Sequence, residues 1–410
     1  MTLRPGLTLT LLAGALLATI VTDGVMRRDF AAAARDILPA RSGSNTRTVT
    51  TELYDLTLET YDLDLDTPWS IAFLDDRRAL VTDKSGALYH LLDGRLLKIP
   101  VQGLPEDMIA QGQGGLLDVV PDPDYALNGW IYLSYSQALP FQGNPRRARA
   151  MTRIIRGRIN DNHWIDQQVI FQAAPQSYSL TRHHYGSRIV FDKAGLLYFS
   201  VGDRGERYQA QDLTRPNGKI HRLRRDGSIP PDNPFLKQPD ALPSIFSYGH
   251  RNPQGLATHP QSGEIWSTEH GPMGGDELNL IRRGRNYGWP VITHGRNYDG
   301  TIISKFTAKP GMEQPVVHWT PSTAVSDIDF YHGDLFPDWR NNLLVTSLKY
   351  QDLRRLVIEK DRVVHQEILL KDLGRLRAIT IGPDEAVYIL INRPSQLLRL
   401  APRQKTALMD

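Results

Sequence analysis

Six short segments concentrate the residues that could do chemistry. They are QGQGG (111–115), RHHYGSR (182–188), YGHRNPQG (248–255), EHGPMGGDE (269–277), LKY (348–350) and GRLR (374–377). Together they offer His183 and His184, the cations Arg251, Lys349, Arg375 and Arg377, and the amides Gln113 and Asn252. They add a Gly271-Pro272 turn near the acids Asp276 and Glu277. Arg and Lys pair with carboxylates through charge-assisted hydrogen bonds. Backbone carbonyls at a Gly-Pro turn suit Ca²⁺, which takes oxygen ligands. An imidazole with a nearby carboxylate suits proton abstraction. The set describes a site for a polyanion, with a base and a hard metal. Each member also has a plainer reading: His183-His184 as a surface pair, Gly-Pro as an ordinary turn, GGDE as a hydrophilic hairpin tip. Their shared placement, at the same point of successive repeats, favours the chemical reading.

The elements that must position them read as repeated β structure. One phrase recurs: an apolar triplet, a polar turn with Asp, Pro or Gly, then a β-branched or aromatic run. It occupies 68–82, 115–136, 186–203, 253–271, 325–348 and 376–392. Each copy is a strand–turn–strand signal, spaced by roughly 45 to 80 residues. Six such units with hardly any helical periodicity predict an all-β, six-bladed β-propeller over 55–402. One blade has two apolar faces and cannot bury them alone, whereas radial stacking buries both. A large β-sandwich would not require the same phrase six times. Loops at one mouth of such a ring converge on its channel.

Composition narrows the function further. The chain has 410 residues, 40% hydrophobic and 23% charged, which argues against disorder or a coiled coil. The absence of Cys excludes disulfides, Cys-zinc sites, iron–sulfur clusters and a thiol nucleophile. A net charge of +3 carries no argument for nucleic acid or a membrane surface. Gly112-Gln113-Gly114 starts like a dinucleotide fingerprint, but position 117 is Leu and no βαβ unit surrounds it. No G-x-S-x-G elbow or H-E-x-x-H motif occurs.

Residues 1–40 read as a signal peptide or membrane anchor region. Arg4 precedes an uncharged apolar run from Leu7 to Val21, the length of a signal h-region and short for a span. The first small-residue site, Ala31-Ala32-Ala33, lies beyond Arg27 and Arg28, which leaves cleavage and retention as an anchor both open. This predicts an exported, periplasmic protein, free or tethered to the inner membrane. The Ser/Thr/Arg-rich stretch at 41–54 reads as a linker, and 403–410 as a tail.

The phrases GQGGLLD, HYGSRIVF, GDRG, NGKIHRLRRDGSIPPDNPF, YGHRNPQGLA, EHGPMGGDE and NYGWP resemble the soluble glucose/sorbosone dehydrogenase family. Within it, the chain looks most like the aldose sugar dehydrogenases that use pyrroloquinoline quinone (PQQ). The likeness spans about residues 55–400 and implies a six-bladed propeller holding the quinone with Ca²⁺. The implied reaction is oxidation of the C1 hydroxyl of an aldose to a lactone. An aldose substrate and an electron acceptor, a quinone or redox protein, are the implied partners. By motif, His184 matches the general base and Asp203 the carboxylate that orients it. Gln113, Arg251 and Asn252 match cofactor contacts, with Tyr298 as a further neighbour. Lys349, Arg375 and Arg377 match the cations that pair with cofactor oxygens and carboxylates. Gly271 and Pro272 match the turn whose carbonyls bind the catalytic Ca²⁺. Glu277 and the Tyr287 carbonyl match a second calcium site in some members. The chain departs from some relatives in having His183, not Asp, directly before the base. Its segments between repeats are shorter than in the glucose-specific dimeric members, so substrate preference and dimerisation do not transfer. Arg204 and Arg207, beside the GDRG turn, face substrate or solvent on this reading.

Two other functions fit a propeller: a calcium-dependent lactone hydrolase and a non-catalytic binding ring. Convergence of Lys349, Arg375 and Arg377 disfavours the first. Retention of base, cations and calcium turn disfavours the second.

Overall fold

The recurring phrase folds each time into the two inner strands of an antiparallel sheet. The computed structural model describes residues 45–144 and 147–403. Strands β1 (Asn45–Thr50) and β2 (Asp55–Asp62) come first and wait for the far end of the chain. One sheet then runs β3 (Pro68–Phe73), β4 (Arg78–Asp83), β5 (Ala87–Leu92) and β6 (Arg95–Leu96). The next runs β7 (Leu116–Pro121), β8 (Ile131–Ala138), β9 (Ala150–Asn160) and β10 (His163–Phe171). A third runs β11 (Ile189–Phe191), β12 (Leu197–Val201), β13 (Lys219–Leu223) and β14 (Ile245–Tyr248). A fourth runs β15 (Pro253–Thr258), β16 (Ile265–Glu269), β17 (Asp276–Ile281) and β18 (Val317–Trp319). A fifth runs β19 (Val325–Phe330), β20 (Leu343–Ser347), β21 (Leu353–Glu359) and β22 (Arg362–Leu370). The last joins β23 (Leu376–Ile381), β24 (Val387–Asn392) and β25 (Ser395–Pro402) to β2 and β1.

The inner strands β3, β7, β11, β15, β19 and β23 touch in succession, and β23 returns to β3. The molecule is a six-bladed β-propeller. Closure rests on β2, which pairs with β25 from Leu56↔Pro402 to Asp62↔Gln396, so both ends of the chain build one blade. Inner strands are sheathed on both faces, which is why PWSIAF and RALVTD read as apolar runs rather than alternations. Outer strands face water, as the exposed run in HWIDQQVIF shows. The cores lie between blades. Leu80 and Leu88 of one sheet pack on Leu116, Val119 and Leu133 of the next, and Trp266 and Leu278 pack on Ile328 and Val345. Each such side chain contributes about 1.5–3 kcal/mol by leaving water.

A charged plug sits on the axis. Arg188 reaches Asp118 at 2.9 Å and Asp327 at 3.1 Å, and all three are buried. Ser70 Oγ donates to Asp118 Oδ1 at 2.6 Å, and the Ile379 amide donates to Asp327 Oδ2 at 3.1 Å. Five blades thereby meet at one ion-pair cluster.

The stretch read as a linker differs from expectation. Residues 45–50 form β1, paired with β2 from Asn45↔Thr60 to Thr50↔Asp55. Its β-branched TRTVT favours extended backbone, and its polarity suits an outermost strand. The signal or anchor region and residues 404–410 of the tail lie outside the described residues. Among the described residues no helix is long and apolar enough to cross a membrane.

Candidate active site

His184 stands in the loop that enters the third blade, with left-handed backbone at φ 56°. Its main-chain N–H donates to Gln113 Oε1 at 2.8 Å. Its ring Nδ1–H donates to Asp203 Oδ1 at 2.7 Å, which leaves the Nε2 lone pair free to accept a proton. Asp203 follows β12 and is itself clamped. The Gly205 amide donates to Oδ1 and Trp289 Nε1 donates to Oδ2, both at 2.8 Å. Gly202 is needed for this approach: a Cβ there would lie 2.2 Å from the His184 carbonyl and 2.9 Å from Asn252 Oδ1.

Burial pushes the His184 imidazole down to about 4, outweighing its hydrogen bond to Asp203, and Arg251 lowers it further. Burial alone would raise Asp203, but the hydrogen bond and charge of His184, then Arg251, hold its carboxyl below the usual range. The pair is a neutral imidazole on an anionic carboxylate. It can take one proton at Nε2 and hold it next to a compensating charge.

Arg251 lowers the imidazole from nearby and belongs to a set of cations that pair with no carboxylate. Among the described residues Arg251, Lys349, Arg375 and Arg377 make no ion pair with an acid side chain. Gln254 links several groups of the cluster. Its Oε1 accepts Arg377 Nη1 at 3.0 Å, its Nε2 donates to Asn252 Oδ1 at 3.2 Å, and its carbonyl accepts Arg188 Nε at 3.1 Å. Arg188 and Arg377 both face the Trp69 ring, at 4.3 and 5.6 Å. Asn252 Oδ1 also accepts the Gly186 amide, next to the base's loop. Arg375 Nη1 donates to the Leu348 carbonyl at 3.4 Å, adjacent to exposed Lys349. Burial, then Arg188 and Arg375, push Arg377 down to about 9. Lys84 is lowered by burial and then by Arg377, so it belongs to the same positive field.

These residues fit an anionic cofactor. Arg377 Nε, Asn252 Nδ2, Arg188 Nη2 and His270 Nε2 are sealed from solvent with no hydrogen-bond partner among the described residues. Each such orphan costs about 1–3 kcal/mol unless a ligand satisfies it. Like charges held together without acids ask for carboxylates from outside the chain.

The expected metal positions are placed as follows. The Gly271 carbonyl accepts Arg251 Nη1 at 2.9 Å, and a carbonyl oxygen retains a second lone pair for a cation. Gly271 is packed so closely that a Cβ would lie 2.3 Å from the Gly274 and Gly275 backbone, which fixes the turn carrying Pro272. Glu277 faces Glu269 directly across β16 and β17, and Asn279 Nδ2 donates to both carboxylates at 3.1 Å. Burial and then Glu269 push Glu277 up to about 8, a pairing that an oxygen-seeking cation would relieve. The Tyr287 ring stacks on His250, which contacts Glu269 at 3.2 Å. Among the described residues no group of three or more His, Asp or Glu side chains is arranged around a metal.

Other sequence-derived residues stand apart. Tyr298 is 76% exposed, on the rim beyond Asn297, whose Oδ1 accepts Arg207 Nη2 at 3.2 Å. Arg207 is half-buried and 6.0 Å from the Trp289 ring. Arg204 does not face solvent: it is wholly buried beneath the loop that carries His184. Sequence reasoning passed over Trp289, Gln254, Arg188, Lys84 and His270 as site residues. Gln254, Arg188 and His270 lie inside the singled-out segments, so their position was a signal; Lys84, just past the first repeat, carried none.

The Glucose / Sorbosone dehydrogenase family model matches residues 65–399. The aldose sugar dehydrogenase of Escherichia coli is 42% identical over 346 residues, covering 83% of this chain and 91% of its own. Quinoprotein glucose dehydrogenase B of Acinetobacter calcoaceticus is 33% identical over 220 residues, 48% of this chain and 44% of its own. The crystal structure of the soluble aldose sugar dehydrogenase of Escherichia coli in its apo form matches with a TM-score of 0.78 at 41% identity. That match covers 84% of this chain and 100% of the other. Matched from the first blade to the strand that closes the ring, the chain belongs to the glucose/sorbosone dehydrogenase family.

Proposed function

We propose that the protein oxidises the C1 hydroxyl of aldose sugars to lactones, using pyrroloquinoline quinone and Ca²⁺. The observation that carries this reading is a neutral His184 on anionic Asp203, set among cations that lack acid partners. Likeness to an aldose sugar dehydrogenase and to a quinoprotein glucose dehydrogenase supports it.

Arg251, Asn252, Arg377, Arg375 and Lys349 would hold the quinone's carboxylates and oxygens, with Gln113 beside the base. The carbonyls of Gly271 and Pro272 would hold the catalytic Ca²⁺, and Glu277 with the Tyr287 carbonyl a second ion. When bound, the quinone would supply the two-electron acceptor for the hydride from C1, and Ca²⁺ the Lewis acid that polarises it. His184 Nε2 takes the proton of the C1 hydroxyl as C1 becomes a carbonyl carbon. Asp203 keeps Nδ1 protonated, so Nε2 stays the acceptor, and its charge stabilises the imidazolium that forms. Trp289 and Gly205 keep that carboxylate from turning away. The same proposal includes export, read from the apolar run at 7–21, and delivery of electrons to an external acceptor, a quinone or redox protein.

The test titrates purified protein with pyrroloquinoline quinone and CaCl₂, follows the quinone spectrum, and assays dye reduction with several aldoses. Saturable binding with sugar-dependent reduction is expected. No binding and no reduction with any aldose would remove the proposal.

A further inference from the structure

Arg204 is 0% exposed, yet no carboxylate pairs with its side chain among the described residues. Its partners are main-chain carbonyls. Nη1 donates to the carbonyl of His183, and Nη2 donates to those of Thr181 at 2.7 Å and Ala150 at 3.4 Å. The guanidinium lies 3.4 Å from the centroid of the Tyr185 ring, which is itself 2% exposed. In return the Arg204 carbonyl accepts Thr181 Oγ1 at 2.6 Å. Residues 181, 183 and 185 bracket His184, whose left-handed backbone, at φ 56°, is strained for a non-glycine residue. A buried cation carries a further desolvation cost, so its retention there asks for a reason.

We propose that Arg204 is a positioning residue for the base. It fixes the peptide groups flanking His184, so that the imidazole cannot leave Asp203 by relaxation of its own backbone. The inference rests on the reading of His184 as base. Its logic is the adjacency of Asp203 and Arg204: one holds the ring and the next holds the main chain that carries the ring. A planar guanidinium can donate to carbonyls on both sides of the loop while stacking on Tyr185, which a single ammonium cannot do. Asp203 and Arg204 share one tight turn: Arg204 is also left-handed, at φ 56°, and leads into Gly205.

The experiment compares Arg204→Met and Arg204→Lys with the parent protein reconstituted with pyrroloquinoline quinone and CaCl₂. It measures kcat and KM for glucose, quinone Kd by spectral titration, and the His184 Nδ1–H resonance of the apoprotein by NMR. Arg204→Met is expected to lower kcat by about 10- to 100-fold while KM and Kd change less than about threefold, with the resonance lost or shifted. Arg204→Lys should recover part of kcat and of the resonance. A folded Arg204→Met with parental kcat and an unmoved resonance would overturn the proposal. So would losses of kcat that only track the folded fraction. Should Arg204→Met not fold, Thr181→Val, which cuts the tie to the Arg204 carbonyl together with the 3.1 Å contact to Ser179 Oγ, must shift the resonance and lower kcat at unchanged KM. Thr181→Val with neither effect also overturns it. The resonance is read without turnover. If His184→Gln retains activity while Arg204→Met still displaces the His184 ring, the base assignment fails and the positioning role stands.

Discussion

The indole of Trp289 donates to Asp203 Oδ2 at 2.8 Å across 86 residues of chain, while His184 takes the other oxygen of the same carboxylate. The acid that orients the base is thus oriented from the loop leading into the neighbouring blade's outer strand. A hydrogen bond to a charged group is worth about 1.5–3 kcal/mol, and a loss felt at the transition state lowers rate about tenfold per 1.4 kcal/mol. Trp289→Phe removes the N–H and keeps an aromatic ring facing Arg251, which now lies 5.4 Å from the indole. Its kcat should fall about 10- to 100-fold with quinone affinity nearly unchanged. Equal losses in kcat and in quinone Kd would show that Trp289 serves the cofactor and not the dyad.

The pH dependence of turnover follows from the His184 environment. In the proposed role His184 must be neutral, and burial pushes its pKa down to about 4 from a free value near ~6.5. The acid limb of kcat/KM, which reports the free enzyme, should therefore lie well below pH 6. For stability the sign is the same. A neutral buried imidazole contributes fully above its unfolded value and is lost as pH falls through about 4. Asp203→Asn removes a group that raises this pKa, so the limb should not move upward while kcat drops by about 10²–10⁴. A parental limb centred at 6.5 or above contradicts this account.

Arg377 should trade stability for affinity. The residue as a whole is partly exposed beside Arg188 and Arg375, but its Nε is buried and has no hydrogen-bond partner among the described residues. Arg377→Met removes a like charge from that cluster and a desolvated group from the interior. The apoprotein Tm is expected to rise by about 1–3 °C, while quinone Kd, measured by spectral titration, weakens at least about tenfold. A lower apoprotein Tm with unchanged Kd would mean that Arg377 is a structural residue only.

The six inner strand pairs were legible because strand–turn–strand is local and its strands are buried on both faces, so each copy repeats as an apolar phrase. Outer strands such as β10 and β22 face water, where composition is free to vary, and they carried no phrase. β1 was hidden by its polarity, since TRTVT reads as linker until β2 offers it an edge. The His184–Asp203 pair was placed by family resemblance and not by spacing, because a separation of 19 positions says nothing about proximity. Trp289 lay within a quoted phrase, NYGWP, yet nothing local could aim its indole at a residue two strands and a blade away. Arg204 was misjudged for a general reason: a sequence reader expects an arginine to seek solvent or an anion, and here carbonyls and a tyrosine face replace both.

The axial plug sets the last prediction. Arg188 joins Asp118 and Asp327, and burial pushes Asp327 up to about 7 even though Arg188 pulls the other way. Arg188→Met deletes the cation and leaves buried carboxylates facing one another, a loss of about 3–5 kcal/mol for a broken buried pair. The penalty should depend on pH. A carboxyl whose folded pKa lies above its unfolded value contributes stability below the unfolded value and loses it as pH rises through the folded one. Without Arg188 the Asp327 pKa moves higher still, so Arg188→Met should come closest to the parental Tm near pH 5 and fall furthest behind near pH 8. Calorimetry at the two pH values measures this directly. A Tm deficit that is equal at both, or larger at pH 5, would show that the cluster is held by packing on Trp69 and not by charge. Because Arg188 also hydrogen-bonds the Gln254 carbonyl, Arg188→Met should in addition loosen Arg377 and weaken the quinone, even at pH 5 where the fold is nearly restored.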